Sequence, residues 1–127
     1  MTAQIPALEL LFFDIPNTAD LHADAAQAVQ SWNLDPERVR RALLLLSYDY
    51  VHAAHTEKID PEFDVKSLSR PHIVHTVHPD RHTCTCEDAT FGGQVCMHRL
   101  AVYLYRQRLQ RSAAQAKTNQ LLSDLGF

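Results

Sequence analysis

All three cysteines of the chain lie in one window of fifteen residues that ends in a histidine. The window reads CTCEDATFGGQVCMH. Thiolate sulfur and neutral imidazole are ligands that Zn²⁺ prefers, and a structural zinc site takes four of them in a closed tetrahedron. The four candidate ligands are Cys84, Cys86, Cys96 and His98. We therefore expect one structural Zn²⁺ ion at this window.

Other uses of the three cysteines are possible. An odd number of cysteines is a poor basis for a disulfide framework, and a bond between Cys84 and Cys86 would close a very small ring. Three buried structural cysteines, or a redox pair at Cys84 and Cys86, would need no zinc. These two interpretations stay open beside the zinc site.

The residues around the candidate ligands predict how they are positioned. In HTCTC the side chains alternate, so in a strand Cys84 and Cys86 point to the same face. Gly92 and Gly93 then permit a tight return of the chain. The stretch CMHRLAVYLYRQRLQ has helical periodicity, which places Cys96 and His98 in the first helical turn, where the helix dipole favours a thiolate.

The pattern Cys-x-Cys, a loop, and Cys-x-His before the apolar helix HRLAVYL resembles the SWIM zinc finger. The resemblance covers about residues 63–108. It implies a small ββα module that binds DNA or proteins without catalysis, with the four metal ligands at Cys84, Cys86, Cys96 and His98. Glu87 departs from the family pattern, in which many members have proline after the second cysteine.

Upstream segments predict the rest of an α+β fold. Three short runs, FDVKSL (63–68), HIVHTV (72–77) and HTCTC (82–86), are separated by turn-like residues and predict a three-stranded antiparallel meander. Two helices precede them, over residues 18–32 with Thr18 as the cap and over 34–58 with Asp35 as the cap. The apolar stripe of the second helix comprises Val39, Ala42, Leu43, Leu46, Tyr50 and Ala53.

The length of 127 residues, 46% of them hydrophobic, predicts one folded unit with appendages. We divide it into an N-terminal segment (1–17), a helical region (18–60), the finger with its C-terminal helix (61–117) and a tail (118–127). No stretch reaches the roughly 18 to 20 apolar residues that cross a bilayer, and the start lacks a basic leader. We expect a cytoplasmic protein with no membrane partner.

The remaining histidines suggest a second metal site only weakly. His72, His75, His78 and His82 crowd the predicted hairpin, but no cysteine or paired carboxylate joins them at ligand spacing. We regard His82 mainly as a competitor for the first ion. His52 and His55 would lie one turn apart on the second helix.

Charge separates the two halves of the chain. Residues 1–65 contain 11 acidic and 4 basic residues, whereas residues 66–117 contain 8 basic and 3 acidic ones. Clustered arginine and lysine beside a zinc finger can neutralise phosphates. An ordinary solvated helix face is an equally good interpretation. The candidate nucleic-acid contacts are Arg70, Arg81, Arg99, Arg106, Arg108, Arg111 and Lys117.

Two functions are consistent with these patterns, of which nucleic-acid binding is our prediction and a protein adaptor the alternative. In the first, the zinc module binds nucleic acid, most simply DNA. In the second, it is a protein-interaction adaptor that uses the acidic helical half, the apolar LELLFF stretch and the tyrosines Tyr48, Tyr103 and Tyr105. We expect no enzyme and no small-molecule substrate, because four protein ligands leave no open position on the metal and no catalytic constellation is evident.

Overall fold

The computed structural model describes residues 9–55, 61–86 and 95–126. Within these ranges, three α-helices and four strands form an α+β fold: α1 (His22–Trp32), α2 (Pro36–Ser47), β1 (Val51–His55), β2 (Glu62–Lys66), β3 (Val74–His78), β4 (Thr83–Cys84) and α3 (Met97–Asp124). Short 3₁₀ turns, Ala19–Leu21 and Pro79–Arg81, precede α1 and β4. No helix in these three ranges is long and apolar enough to cross a membrane.

The sheet is antiparallel throughout, and its strands follow chain order. One cross-strand row joins Ala53, Phe63, Val77 and Cys84. Phe63 and Val77 are buried in the core and Cys84 packs against it, so this part of the row lies on the covered face of the sheet, whereas Ala53 is exposed. The row therefore leads from the hydrophobic core directly to the first candidate ligand.

The hydrophobic core lies between the helices and the covered face of the sheet. α3 packs against both α2 and the sheet, with Leu100 and Leu104 buried. In α2, four members of the predicted apolar stripe are buried, namely Val39, Ala42, Leu43 and Leu46. α3 continues without a break through residue 118, and its side chains are exposed from Leu109 onward.

The prediction that the second helix extends beyond residue 50 is wrong, and the sheet gains a fourth strand as a result. α2 ends at Ser47, where Asp49 adopts a left-handed φ of 59°. The Asp49 N–H donates to the Leu46 carbonyl and the Tyr50 N–H to the Leu45 carbonyl, a Schellman termination. The chain then extends as β1, so Tyr50 and Ala53 leave the helical stripe.

The structure also refines the predicted helix starts and strand ends. Asp35 caps α2 as expected, since its Oδ1 accepts a hydrogen bond from the Glu37 N–H at 3.0 Å. Thr18 makes no such cap, because its buried hydroxyl donates to the Ile15 carbonyl instead. β4 ends at Cys84, so Cys86 lies beyond the strand. The expectations for Glu87, Gly92 and Gly93 fall outside the described residues.

Candidate metal centre

The four candidate ligands come from two elements that the fold brings together. Cys84 ends β4, and Cys86 follows it after one residue. Thr85, between them, extends the pairing with β3, because its N–H donates to the Thr76 carbonyl at 3.2 Å. Its hydroxyl also accepts from the Thr76 N–H at 3.0 Å. This second link holds the two cysteines beside the sheet.

The other two candidate ligands lie at the start of α3, as the sequence predicts. Cys96 is the N-cap residue, and its Sγ accepts a hydrogen bond from the Arg99 N–H at 3.4 Å. His98 lies in the first turn and is buried, with 6% of its surface exposed. Helix starts leave several N–H groups without helical partners, so a negatively charged sulfur is stabilised there.

The ligand atoms of Cys84, Cys86, Cys96 and His98 all lie within 4.8 Å of one another. Two sulfur ligands of a tetrahedral zinc ion, each about 2.3 Å from the metal, are separated by about 3.8 Å. Small side-chain adjustments therefore bring this cluster to the geometry of a zinc site. It is the one group of potential metal ligands found in residues 9–55, 61–86 and 95–126.

The thiols differ in how readily they lose a proton. A hydrogen bond between the Cys84 and Cys96 side chains is the main cause that raises the pKa of Cys84, and burial raises it further. The same hydrogen bond, together with contacts from His98 and the Arg99 N–H, lowers the pKa of Cys96. The cluster thus favours a thiolate at the helix start, which is the form that binds metal.

The imidazole of His98 gives an independent test of whether the cluster fits a metal ion. Its Nδ1 is buried, and within the described parts of the chain it has no hydrogen-bond partner. Buried polar atoms are nearly always paired, and a zinc-binding histidine is commonly oriented through its second nitrogen. The donor set fits zinc, which would cross-link the end of β4 to the start of α3 when bound.

His75 belongs to the surroundings of the site, which the sequence did not indicate. Its ring lies 4.4 Å from that of His98, centroid to centroid. Burial is the main cause that lowers the pKa of His75, and proximity to His98 lowers it further. The signal available in the sequence was the alternation in β3, which puts His75 and Val77 on the same face.

The histidines do not form a second metal cluster in the described residues. His82 adopts a left-handed φ of 56° after the 3₁₀ turn and is exposed. His78 lies 4.0 Å from the Glu62 carboxylate. His52 lies in β1, so the expectation that His52 and His55 share a helical turn is wrong.

Three of the candidate nucleic-acid contacts form ion pairs within the fold. Arg106 lies 3.4 Å from Asp80, and Arg111 lies 2.7 Å from Asp24. Arg108 binds both carboxylate oxygens of Asp20, at 2.8 and 3.0 Å. These bonds join α3 to the acidic N-terminal half and to the β3–β4 connection.

The other four candidate contacts are dispersed over the molecule. Arg70 lies in the β2–β3 turn, Arg81 in the second 3₁₀ turn, Arg99 in the first turn of α3 and Lys117 on its exposed second half. In the described ranges, Arg70, Arg99 and Lys117 form no ion pair with a carboxylate. The structure does not bring the seven basic side chains into one patch.

Comparison with protein families agrees with the geometry. A family model described as SWIM zinc finger matches residues 75–107, a segment that contains all four candidate ligands. Searches of the curated proteins and of the solved structures gave no match. Residues 75–107 of this chain are therefore similar to SWIM zinc fingers, and the Cys/His cluster in this segment could hold one zinc ion.

Proposed function

We propose that this protein is a non-catalytic adaptor that binds another protein through the surface around its zinc finger. The observation that carries this proposal is the pairing of Arg108 and Arg111 with Asp20 and Asp24. A guanidinium that already holds a carboxylate at 2.7 to 2.8 Å has less capacity to bind a phosphate. The basic helix then serves to attach the acidic half of the chain.

Exposed apolar and aromatic side chains support a protein partner. Leu10, Leu11 and Phe13 are exposed near the start of α2, while Phe12 between them is buried. Trp32, the chain's one tryptophan, is about half exposed. Aromatic residues are enriched where proteins bind one another, and grouped apolar side chains on a surface commonly mark such contacts.

Zinc has a structural role in this proposal. The four protein ligands would fill a tetrahedral shell, which leaves no position for an activated water molecule. The ion would fix the angle between the sheet and α3, and so the shape of the surface that both present. Metal binding and folding of the finger are then coupled.

Nucleic-acid binding is the second candidate function, and one observation favours it. Arg70, Arg99 and Lys117 have no carboxylate partner in the described ranges and could contact phosphates. The net charge of −3 and isoelectric point near 6.2 weigh against strong binding at physiological salt.

Two measurements separate the candidates. In the first, the zinc-loaded chain is titrated into labelled single-stranded and double-stranded DNA at low and physiological salt. The adaptor proposal expects a Kd no tighter than about 1 µM at physiological salt, the range of non-specific contacts. Tighter binding that is lost in the Arg70→Glu/Lys117→Glu variant would establish nucleic acid as the ligand instead.

In the second, a photo-reactive phenylalanine derivative replaces Phe13 or Trp32, and the variants are irradiated in cells that express the chain. The adaptor proposal expects a cross-link to one protein species from at least one position. The same residue placed at exposed Asn119 of α3 serves as the control. Cross-links to nucleic acid alone, or none, would contradict the proposal.

A further inference from the structure

The structure contains a groove beside the metal centre that no feature of the zinc site uses. It has a volume of about 660 Å³ and lies between the end of α1, the first turns of α3 and the β3–β4 connection. We call it the Trp32 groove, and its main lining residues are Trp32, Val77, Asp80, Arg99, Leu100 and Tyr103. Sites of roughly 300 to 1,000 Å³ hold small ligands or a few side chains of a partner.

The floor and one wall of the groove are apolar. Val77 and Leu100 are fully buried beneath it. The Trp32 ring packs edge-on against the Tyr103 ring with 4.8 Å between centroids, yet 48% of Trp32 remains exposed. The Tyr103 hydroxyl is held by the Gln107 side chain at 2.8 Å. Two oriented aromatic rings thus face an open space above a hydrophobic floor.

The charged side chains at the rim of the groove differ in whether they have an ion-pair partner. Arg106 pairs with Asp80, so these two charges offset each other. Arg99 also lines the groove, and among residues 9–55, 61–86 and 95–126 its guanidinium makes no ion pair or side-chain hydrogen bond. One arginine beside two aromatic rings therefore has an unused capacity to bind a carboxylate.

From this arrangement we infer that the Trp32 groove binds an acidic peptide segment of a partner protein, in which a large apolar side chain neighbours an aspartate or glutamate. The apolar side chain packs on Trp32, Tyr103 and the floor, and the carboxylate accepts hydrogen bonds from Arg99. Tryptophan, tyrosine and arginine are the residue types that dominate binding energy at protein interfaces. This inference rests on the proposed adaptor function.

The groove is tied to the metal centre through α3. Arg99, Leu100 and Tyr103 lie in the first two turns of this helix, which begins at Cys96. The ion would fix the helix start, and with it the position of Arg99 relative to Trp32. Binding in the groove is therefore expected to require the zinc-loaded protein.

The test is a selection of random twelve-residue peptides displayed on phage against the zinc-loaded full chain. Enriched peptides are synthesised, and their Kd is measured by fluorescence anisotropy for the wild type, Trp32→Ala, Arg99→Gln and the matched control Lys117→Gln. We expect peptides that combine a large apolar residue with a neighbouring carboxylate. We expect at least a tenfold weaker Kd in the first two variants and less than a twofold change in the control.

Each other outcome overturns the inference. It is wrong if no peptide is enriched, if the enriched peptides lack a carboxylate or a large apolar residue, or if Trp32→Ala or a zinc-retaining Arg99→Gln binds them as tightly as the wild type. Labelled single-stranded DNA whose binding is lost in Trp32→Ala would assign the groove to a nucleic acid. Arg99 neighbours His98, so zinc content is measured for every variant, and Trp32→Ala decides the result if Arg99→Gln loses the ion.

The experiments test the proposed adaptor function separately from the Trp32 groove. Protein cross-links from position 13 but none from position 32, together with peptides insensitive to Trp32→Ala, would disprove the groove and leave the adaptor function standing. Absence of protein cross-links from both positions would remove the adaptor function and the groove together.

Discussion

Arg108 in α3 binds the carboxylate of Asp20 through two hydrogen bonds of 2.8 and 3.0 Å, although 88 residues separate them in the chain. The same guanidinium donates to the Asn17 carbonyl at 2.9 Å. One arginine thus satisfies a carboxylate and a backbone oxygen of the N-terminal half. The contact attaches that half to the helix that begins at the metal centre.

Removing this ion pair is expected to destabilise the fold modestly. Arg108 holds the pKa of Asp20 below its ordinary value of 3.8, so the contribution is fully present at pH 7 and is lost only as the pH falls below about 4. Both side chains are partly exposed, which limits the coupling energy to about 0.5–1 kcal/mol. A double-mutant cycle with Asp20→Asn and Arg108→Gln, followed by urea unfolding at pH 7, measures it. Additive effects would show that the pair contributes nothing.

Loss of a zinc ligand is expected to unfold the finger. Structural zinc contributes on the order of 10 kcal/mol to the folding of small modules. The Cys96→Ser and His98→Asn variants should lose the stoichiometric ion, and a chelator should have the same effect on the wild type. Metal content and circular dichroism measure the outcome.

His82→Asn is the matched control for His98→Asn. His82 lies outside the Cys/His cluster, and asparagine tolerates its left-handed backbone. This variant should keep one equivalent of zinc and the wild-type Tm. A Cys96→Ser protein that retained its ion and its stability would disprove the assignment of the ligands.

The N-cap of α2 is expected to contribute about 1 kcal/mol to stability, because Asp35 satisfies a backbone N–H that has no helical partner. Asp35→Ala should lower the free energy of unfolding by this amount. Asp35→Ser should restore most of it, since serine also caps helices. Equal stability of the two variants would show that the cap is not used.

Two leucines of α3 should respond differently to truncation. Leu104 is 1% exposed, so Leu104→Ala leaves a cavity and should cost about 2–5 kcal/mol. Leu109, five residues on, is 45% exposed, and Leu109→Ala should change stability by less than about 0.5 kcal/mol. Thermal unfolding of the zinc-loaded variants checks both. A large cost at Leu109 would mean that this part of the helix is covered by another molecule.

The residues of the Cys/His cluster could be predicted from the sequence alone, because their spacing is a local signal. Cys84 and Cys86 are separated by one residue, and Cys96 and His98 begin a helix whose apolar period is clear. Spacing of this kind fixes which side chains share a face before any tertiary contact forms. The cap at Asp35 was predicted for the same reason.

The end of α2 was harder to predict, because a contact distant along the chain takes part in it. Apolar residues continue past Ser47, so the helical period in the sequence extends beyond the end of α2. Asp49 takes the left-handed conformation, and the Tyr50 carbonyl accepts a hydrogen bond from the Lys66 N–H at 3.0 Å. Pairing with β2 then favours a strand over a helix at this point. The backbone groups of β1 gain hydrogen-bond partners in a segment that is distant along the chain.

Only the tertiary structure determined which partners the charged side chains and the aromatic rings contact. Arginine side chains on α3 predict equally well a phosphate-binding face and a solvated one, until Asp20 and Asp24 are placed beside them. In the same way, the rings of His75 and His98, and those of Trp32 and Tyr103, contact each other although they belong to elements that are distant in sequence. Local spacing determines which residues share a face, but their partners are fixed by packing between elements that are remote along the chain.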